Sequence, residues 1–83
     1  MKRAGVFYVD DEMIATDPER VRAIMGWVIV LEAEHQPQYQ RYRYVALSEG
    51  FEEIEDDAAP PSYHVNFYEG GQIQFYPDVL PRP

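Results

Sequence analysis

Two stretches of alternating apolar and polar residues, each interrupted by turn-forming residues, constrain the fold more than any other feature. The first covers residues 27–47 and breaks at Gln36, Pro37 and Gln38; the second covers residues 63–76 and breaks at Gly70 and Gly71. Alternation with a period of two is typical of strands that bury one face. In a chain of 83 residues, which is the size of one domain, two hairpins predict a mainly antiparallel β-sheet.

In the first stretch, a loop over residues 35–38 places Glu32 opposite Arg41. The same register places Leu31 opposite Tyr42 and predicts one core-facing set: Trp27, Ile29, Leu31, Tyr42, Tyr44 and Ala46. The opposite face carries charges that we expect to form cross-strand ion pairs near the turn: Glu32, Glu34, Arg41 and Arg43. The far end of that face is apolar and needs a cover, for which the short helix is a candidate: Val28, Val30, Val45 and Leu47.

The second stretch allows two turns. A two-residue turn at Gly70 and Gly71 mixes polar with apolar residues on each face, whereas a three-residue loop over residues 69–71 separates them. The three-residue loop requires Gly71 to be left-handed, which glycine tolerates. We therefore predict the three-residue loop, with one polar face: His64, Asn66, Tyr68, Gln72, Gln74 and Tyr76.

The first part of the chain predicts a strand followed by a helix. Residues 6–9 are β-branched or aromatic and indicate a strand. Thr16 or Asp17 can cap a helix that has Pro18 in its first turn and ends at Gly26. A single strand over residues 20–35, kinked at Gly26, is the alternative. We predict an α+β domain with about five strands, one short helix and a proline-rich tail over residues 77–83.

The segment between the hairpins, residues 50–61, contains most of a dense acidic cluster. Six of the nine residues 49–57 are carboxylates, and the chain has a net charge of -8. Such a field attracts basic partners and repels nucleic acid and anionic membranes. Phe51 and Ile54 are expected to hold the segment against the core. The cluster consists of Glu49, Glu52, Glu53, Glu55, Asp56 and Asp57.

Metal, cofactor and catalytic sites are not expected. The chain has no cysteine, and its two histidines, His35 and His64, belong to different hairpins. Ser62 and His64 share a strand face, but the sequence does not place an acid to orient the histidine. A small hydrolase is therefore the weakest alternative that we consider.

Direct binding of nucleic acid is also not expected. Residues 39–44 alternate tyrosine with arginine, as a single-strand platform does. Strand alternation, however, points Tyr42 and Tyr44 to one face and the arginines towards glutamates on the other. No apolar run approaches the roughly 20 residues that span a bilayer, so we expect a soluble, cytoplasmic protein.

The acidic surface is the remaining functional feature. Carboxylates two residues apart on a strand lie roughly 6.6 Å apart, a spacing that can imitate phosphates to a protein that binds DNA through lysine and arginine. Glu32 with Glu34 offers such a pair, as does Glu53 with Glu55 if that stretch is extended. Tyr68 and Tyr76, predicted on an outer face, are suited to a protein interface.

A short, acidic, cysteine-free, β-rich chain without a catalytic motif resembles the small phage-encoded anti-CRISPR and anti-restriction proteins. The resemblance covers the composition of the whole chain and transfers no residue. It implies a non-enzymatic inhibitor that occupies the basic nucleic-acid-binding surface of a host defence complex, in the host cytoplasm. The alternative is a structural or accessory phage protein, or a homodimerising module that works through an apolar sheet face.

Overall fold

The computed structural model describes residues 1–78. A long strand comes first, followed by two short helices, a hairpin, a two-residue strand and a second hairpin. The strands and helices are β1 (Lys2–Asp10), α1 (Asp11–Thr16), α2 (Pro18–Met25), β2 (Ile29–Gln36), β3 (Arg41–Leu47), β4 (Glu53–Ile54), β5 (Tyr63–Phe67) and β6 (Ile73–Pro77).

The strands form two antiparallel sheets. One has four strands in the order β2-β3-β1-β4, and the other is the β5–β6 pair. The second sheet is joined to the first by one bridge between Val6 and Ser62. The predicted α+β class, dominated by antiparallel strands, is confirmed. The predicted proline-rich tail begins within β6, because Pro77 is its last residue, and residues 79–83 lie outside the described residues.

Helix α2 forms where its capping signals predict it. The carboxylate of Asp17 accepts a hydrogen bond from the backbone N–H of Arg20, and Pro18 occupies the first turn. At the other end, the N–H of Gly26 donates to the carbonyl of Arg22 at 3.0 Å. The alternative of one kinked strand over residues 20–35 is therefore wrong. The sequence did not predict α1, a six-residue helix that leads directly from β1 into this cap.

The core lies on one face of the four-stranded sheet. Phe7 is fully buried in β1, where it contacts Tyr44 and Phe75 with ring centroids 5.3 and 5.7 Å apart. Ile24 of α2 and Phe51 close the core from above, and each is 1% exposed. The helices and the second hairpin thus cover the same face, over β1 and its neighbours.

The register predicted for β2–β3 is wrong by four residues. Arg41 lies opposite Gln36 instead of Glu32, because β2 extends through Gln36 and β3 begins only at Arg41. A single 3-10 turn, Pro37–Tyr39, joins them, with Gln40 left-handed at φ 53°. His35, predicted in the loop, belongs to β2 and lies opposite Tyr42, with the ring centroids 4.5 Å apart.

The predicted core face of β2 is wrong as well. A β-bulge between Val30 and Glu32 moves Ile29 to the other face, opposite Leu47. Strand β2 lies at the edge of the sheet, and α2 packs over the centre rather than over this edge. Three residues predicted for the core are consequently more than half exposed: Trp27, Ile29 and Leu31.

The register predicted for the second hairpin is confirmed. The loop is Glu69–Gly71, and Tyr68 and Gln72 close it through an N–H to carbonyl hydrogen bond of 2.8 Å. Both glycines have positive φ, 75° for Gly70 and 77° for Gly71. The predicted separation of faces follows: Tyr63 and Phe75 are buried in the core, whereas His64, Asn66 and Gln74 are exposed.

Candidate interaction surfaces

The acidic segment is held to the core by Phe51. This ring stacks on Tyr63 and meets Phe75 edge-on, with centroids 4.5 and 4.7 Å away. Gly5 lies directly beneath: a Cβ at that position would be 2.7 Å from the Tyr63 ring. This close approach explains why β1 has a glycine in its buried centre. The predicted anchoring role of Phe51 is therefore confirmed.

Hydrogen bonds fix the backbone on either side of this anchor. The guanidinium of Arg3 donates to the carbonyl of Phe51 at 2.9 Å. The next N–H, that of Glu52, donates to the hydroxyl of Tyr63 at 2.8 Å. Strand β4 then pairs with Lys2 and Arg3 at the start of β1. Hydrogen bonds and strand pairing thus hold the start of the acidic segment, which is not a free loop between the hairpins.

Cationic groups neutralise part of the cluster. The N-terminal amine of Met1 lies 3.1 Å from a carboxylate oxygen of Asp56, and Arg3 lies 4.0 Å from Glu53. Lys2 donates to the backbone carbonyl of Asp56 rather than to a carboxylate. All six carboxylates are exposed, and within residues 1–78 four form no ion pair: Glu49, Glu52, Glu55 and Asp57.

The cluster does not have the regular spacing of a strand. Strand β4 contains only Glu53 and Ile54. A turn follows, in which the carbonyl of Glu55 accepts a hydrogen bond from the N–H of Ala58 at 3.0 Å. The regular strand therefore includes Glu53 and ends before Glu55. The surface presents concentrated charge without a periodic ladder.

Glu32 and Glu34 lie far from this cluster. Both are exposed on β2, whereas Glu53 lies on β4, and these strands form opposite edges of the sheet. Three strand spacings separate the edges, which is about 14 Å. The two glutamates have the strand spacing that a phosphate mimic needs, yet the fold does not bring them together with the main cluster.

The ion pairs predicted between β2 and β3 are replaced by hydrogen bonds through the side-chain amide of Gln36. The Nε of Arg41 donates to Oε1 of Gln36 at 2.8 Å, and Nε2 of Gln36 donates to Glu34 at 3.0 Å. Arg41 also stacks on two rings, 3.9 Å from the Tyr8 centroid and 4.7 Å from Tyr39. Sequence reasoning missed this stack, because only the β1–β3 register shows that Tyr8 shares a face with the arginines.

Tyr68 and Tyr76 come together on the outer face of the second hairpin. Their hydroxyls lie 2.9 Å apart, and Tyr76 donates to Gln74, so Tyr68 donates to Tyr76. The hydrogen bond to Tyr68 is the main cause that raises the pKa of Tyr76 above the ordinary tyrosine value. Burial and the neighbouring Tyr42 likewise raise the pKa of Tyr44 on the core side of β3.

An acid does orient His64, contrary to the sequence prediction. Asp78 places a carboxylate oxygen 3.0 Å from Nδ1 of His64, and the ring stacks on Tyr76 with centroids 5.5 Å apart. Ser62 accepts the N–H of Asp78 through its backbone carbonyl, but within residues 1–78 its hydroxyl makes no hydrogen bond to His64. Histidine and acid are thus aligned without a serine in contact.

The other histidine also pairs with an aspartate. Nε2 of His35 lies 3.0 Å from a carboxylate oxygen of Asp11, where α1 begins beside the β2–β3 turn. Across residues 1–78, no three histidine, cysteine, aspartate or glutamate side chains are arranged to hold a metal ion. Each histidine thus pairs with one aspartate, His35 with Asp11 at the start of α1 and His64 with Asp78 after β6.

An apolar depression lies at the start of β2. It is an open cleft of about 470 Å³ between the start of β2, the start of β1 and the end of β3, with Trp27, Ile29 and Leu47 on its walls. Exposed apolar surface of this kind is uncommon on a small protein and marks a place for contact. Among the described helices, none has the length and apolar character to cross a bilayer.

Comparison with known proteins returned no match: no protein-family model, no curated protein and no solved structure resembles this chain.

Proposed function

We propose that the protein is a non-enzymatic inhibitor that binds a basic, nucleic-acid-binding surface of another protein through the carboxylates of residues 49–57. The expected partner is a nucleic-acid-binding subunit of a host defence complex, such as a CRISPR–Cas or restriction subunit. That partner class comes from the resemblance in size, charge and composition to phage-encoded inhibitors. The mode of binding is argued from the residues themselves.

One observation carries the proposal: a dense set of exposed carboxylates stands on a backbone that the core holds in place. Four of them have no cationic partner within residues 1–78, and Phe51 and β4 fix the start of the segment. A preordered charged surface loses little conformational entropy on binding and attracts a basic partner over a long range. Desolvated contacts with lysine or arginine then supply affinity.

The contact surface is residues 49–57, which include strand β4 at one edge of the sheet. Glu32 and Glu34 lie on the opposite edge, and Tyr68 and Tyr76 lie on the second hairpin. Because the strand in the acidic segment contains only Glu53 and Ile54, recognition depends on charge density and not on an imitation of phosphate spacing. Binding should therefore weaken steeply as salt concentration rises.

The test compares two variants of equal net charge. The first neutralises five carboxylates of the segment (Glu52→Gln, Glu53→Gln, Glu55→Gln, Asp56→Asn and Asp57→Asn). The control neutralises five exposed carboxylates elsewhere: Glu12→Gln, Glu19→Gln, Glu32→Gln, Glu34→Gln and Glu69→Gln. We expect the first variant alone to lose partner capture from a host lysate, while both fold as the wild type does.

Two further readouts identify the mode of binding. The captured protein should be released by added DNA or RNA, and capture should fall between low and moderate ionic strength. Equal loss in both variants would mean that total charge matters and the segment does not. Capture that survives the five substitutions in residues 52–57 would contradict the proposal.

A further inference from the structure

Two arginines of strand β3 have no carboxylate partner, although the chain is strongly acidic. Arg41 and Arg43 alternate with Tyr44, which packs against the core, so both arginines lie on the opposite face of the sheet. The register places Asp10 opposite Arg41 and Glu34 opposite Arg43. Within residues 1–78, however, neither arginine forms an ion pair. Both positive charges are therefore available to a ligand.

Neighbouring side chains fix the guanidinium of Arg41. Its Nε donates to Oε1 of Gln36 at 2.8 Å, and Nε2 of Gln36 donates to Glu34 at 3.0 Å. The guanidinium carbon lies 3.9 Å from the ring centroid of Tyr8 and 4.7 Å from that of Tyr39. A long side chain loses conformational entropy when a ligand orders it. Because these contacts already order Arg41, a ligand that binds it has less of this cost to overcome.

The terminal nitrogens of Arg41 are the free part of the group. Within residues 1–78 its Nε forms a hydrogen bond, whereas its Nη atoms form none. The side chain of Arg43 also forms no hydrogen bond to these residues. A guanidinium is planar, and its N–H groups match the two oxygens of a carboxylate or a phosphate. The arrangement is therefore that of an anion-binding arginine.

The surrounding charges select an anion with a single charge. Asp10, Glu32 and Glu34 are exposed and lie on the same face of the sheet as the arginines. A polyanion such as nucleic acid would meet these carboxylates and be repelled. A phosphate monoester carries about -1.5 to -2 charges, so it is repelled more strongly than a carboxylate. A single carboxylate fits the local charge best.

Exposed aromatic surface beside the guanidinium favours a ligand that also contains a ring. Tyr39 is 61% exposed and Tyr8 is 36% exposed, even though both contact Arg41. A carboxylate alone would gain only an exposed ion pair, which is weak in water. A ring attached to it would bury part of the tyrosine surface and add contact between aromatic groups.

We propose that Arg41, with Arg43 beside it, binds a ligand that has one carboxylate next to an aromatic ring. The Nη atoms of Arg41 hold the carboxylate, the ring lies against Tyr39, and Arg43 adds a second positive charge. Free aromatic acids have this chemistry, and so does an aromatic residue at the C-terminus of a peptide. The site uses no residue of the segment 49–57, so it can fail or succeed independently of the proposed function.

The first experiment titrates the full-length, isotope-labelled protein and follows the arginine Nε–H signals by NMR. Benzoate represents a free aromatic acid, and N-acetylphenylalanine represents a peptide terminus. Acetate lacks the ring, and N-acetylphenylalaninamide lacks the carboxylate. We expect a saturable shift of the Arg41 signal at millimolar concentration with at least one aromatic acid and with neither control. The acid that binds more tightly identifies the source of the ligand.

The second experiment repeats the titration with three variants. Arg41→Lys keeps the charge but loses the paired Nη atoms, so it should weaken binding of the tighter acid by about tenfold. Tyr39→Ala removes the exposed ring and should weaken the same acid. Arg22→Lys is the matched control, because Arg22 is exposed on α2 and forms no ion pair within residues 1–78; it should bind as the wild type does. Circular dichroism checks that each variant is folded.

Four results would overturn the inference. Absence of a saturable shift at Arg41 with both aromatic acids means that there is no site. Equal affinity for acetate means that the tyrosines take no part, and tighter binding of inorganic phosphate means that the anion is not a carboxylate. A shift of the Arg22 signal that matches the shift of Arg41 would show general attraction of anions to arginine.

Discussion

The two edges of the four-stranded sheet are built in opposite ways. At one edge, β4 has two residues, is surrounded by carboxylates, and is held in place by the buried ring of Phe51. At the other edge, β2 has eight residues, and Ile29–His35 are all exposed. A short charged edge discourages pairing with other strands, whereas a long apolar edge invites it. The β4 edge is thus supported by a buried side chain, whereas the β2 edge leaves its apolar side chains in solvent.

The two edges also differ in whether their apolar side chains stabilise the fold. At the β4 edge an apolar side chain supports the fold and charged side chains remain free to bind. At the β2 edge the apolar side chains are themselves exposed, so they contribute little to folding in the monomer. The following substitutions test this distinction, beginning with the largest expected effect.

Truncation of an apolar residue should be severe at one edge and mild at the other. Phe51→Ala removes a ring that is 1% exposed and contacts two other rings, which should cost about 3–5 kcal/mol of unfolding free energy. Ile29→Ala, at 67% exposure, should change the same quantity by about 0.5 kcal/mol or less under monomeric conditions. Urea denaturation of both variants measures the difference, and similar costs would contradict the contrast between the edges.

A methyl group added at Gly5, beneath the Phe51 ring, should lower the stability of the fold by an intermediate amount. Gly5→Ala places a Cβ 2.7 Å from the Tyr63 ring and 3.1 Å from Phe51, so these rings must shift, at a cost of about 1–3 kcal/mol. The shift also disturbs the hydrogen bond from Glu52 to the Tyr63 hydroxyl. Thermal unfolding, with amide exchange at Glu52, measures both consequences.

The control is a glycine with room for a side chain. Gly26 has φ -70°, and its nearest contacts with an added Cβ would be at 3.6 Å. Gly26→Ala should therefore be neutral or should stabilise the protein by about 0.4–1 kcal/mol. If Gly5→Ala proved as harmless as Gly26→Ala, the close packing of β1 beneath the acidic segment would be wrong.

Of these changes, removal of the ion pair at the N-terminus should change the free energy of unfolding least. Asp56 is 78% exposed where it meets the amine of Met1, and exposed ion pairs contribute about 0–1 kcal/mol. Asp56→Asn should therefore shift the free energy of unfolding by less than about 1 kcal/mol, and added salt should reduce even this shift. A larger loss in the same urea assay would show that the pair holds the acidic edge in place.

Local signals in the sequence were sufficient for α2 and for the second hairpin. Asp17, Pro18 and Gly26 act within a few residues of the helix that they delimit, so no distant contact was needed to predict it. The three-residue loop was predictable because Gly70 and Gly71 supply positive φ and because only one register separates the faces. The exposed acidic cluster was predictable from charge alone, since carboxylates are seldom buried without partners.

The register and burial of β2 were not predictable in the same way. Alternation shows which residues share a face, but a bulge between Val30 and Glu32 reverses that relation midway along the strand. Ile29 and Leu31 also look like core residues in sequence. Whether they are buried depends on what packs over the strand, and α2 lies elsewhere.

By itself, the sequence determined the fold class, the capped helix, the glycine loop and the concentration of negative charge, because each arises from neighbouring residues. Only the tertiary structure decided that β4 and β2 occupy opposite edges of one sheet, that Phe51 rather than Trp27 lies in the core, and that Asp78 and Asp11 each meet a histidine. The order of strands in a sheet follows from contacts between residues far apart in the chain. Such contacts depend on how the whole core packs, which no local pattern of residues contains.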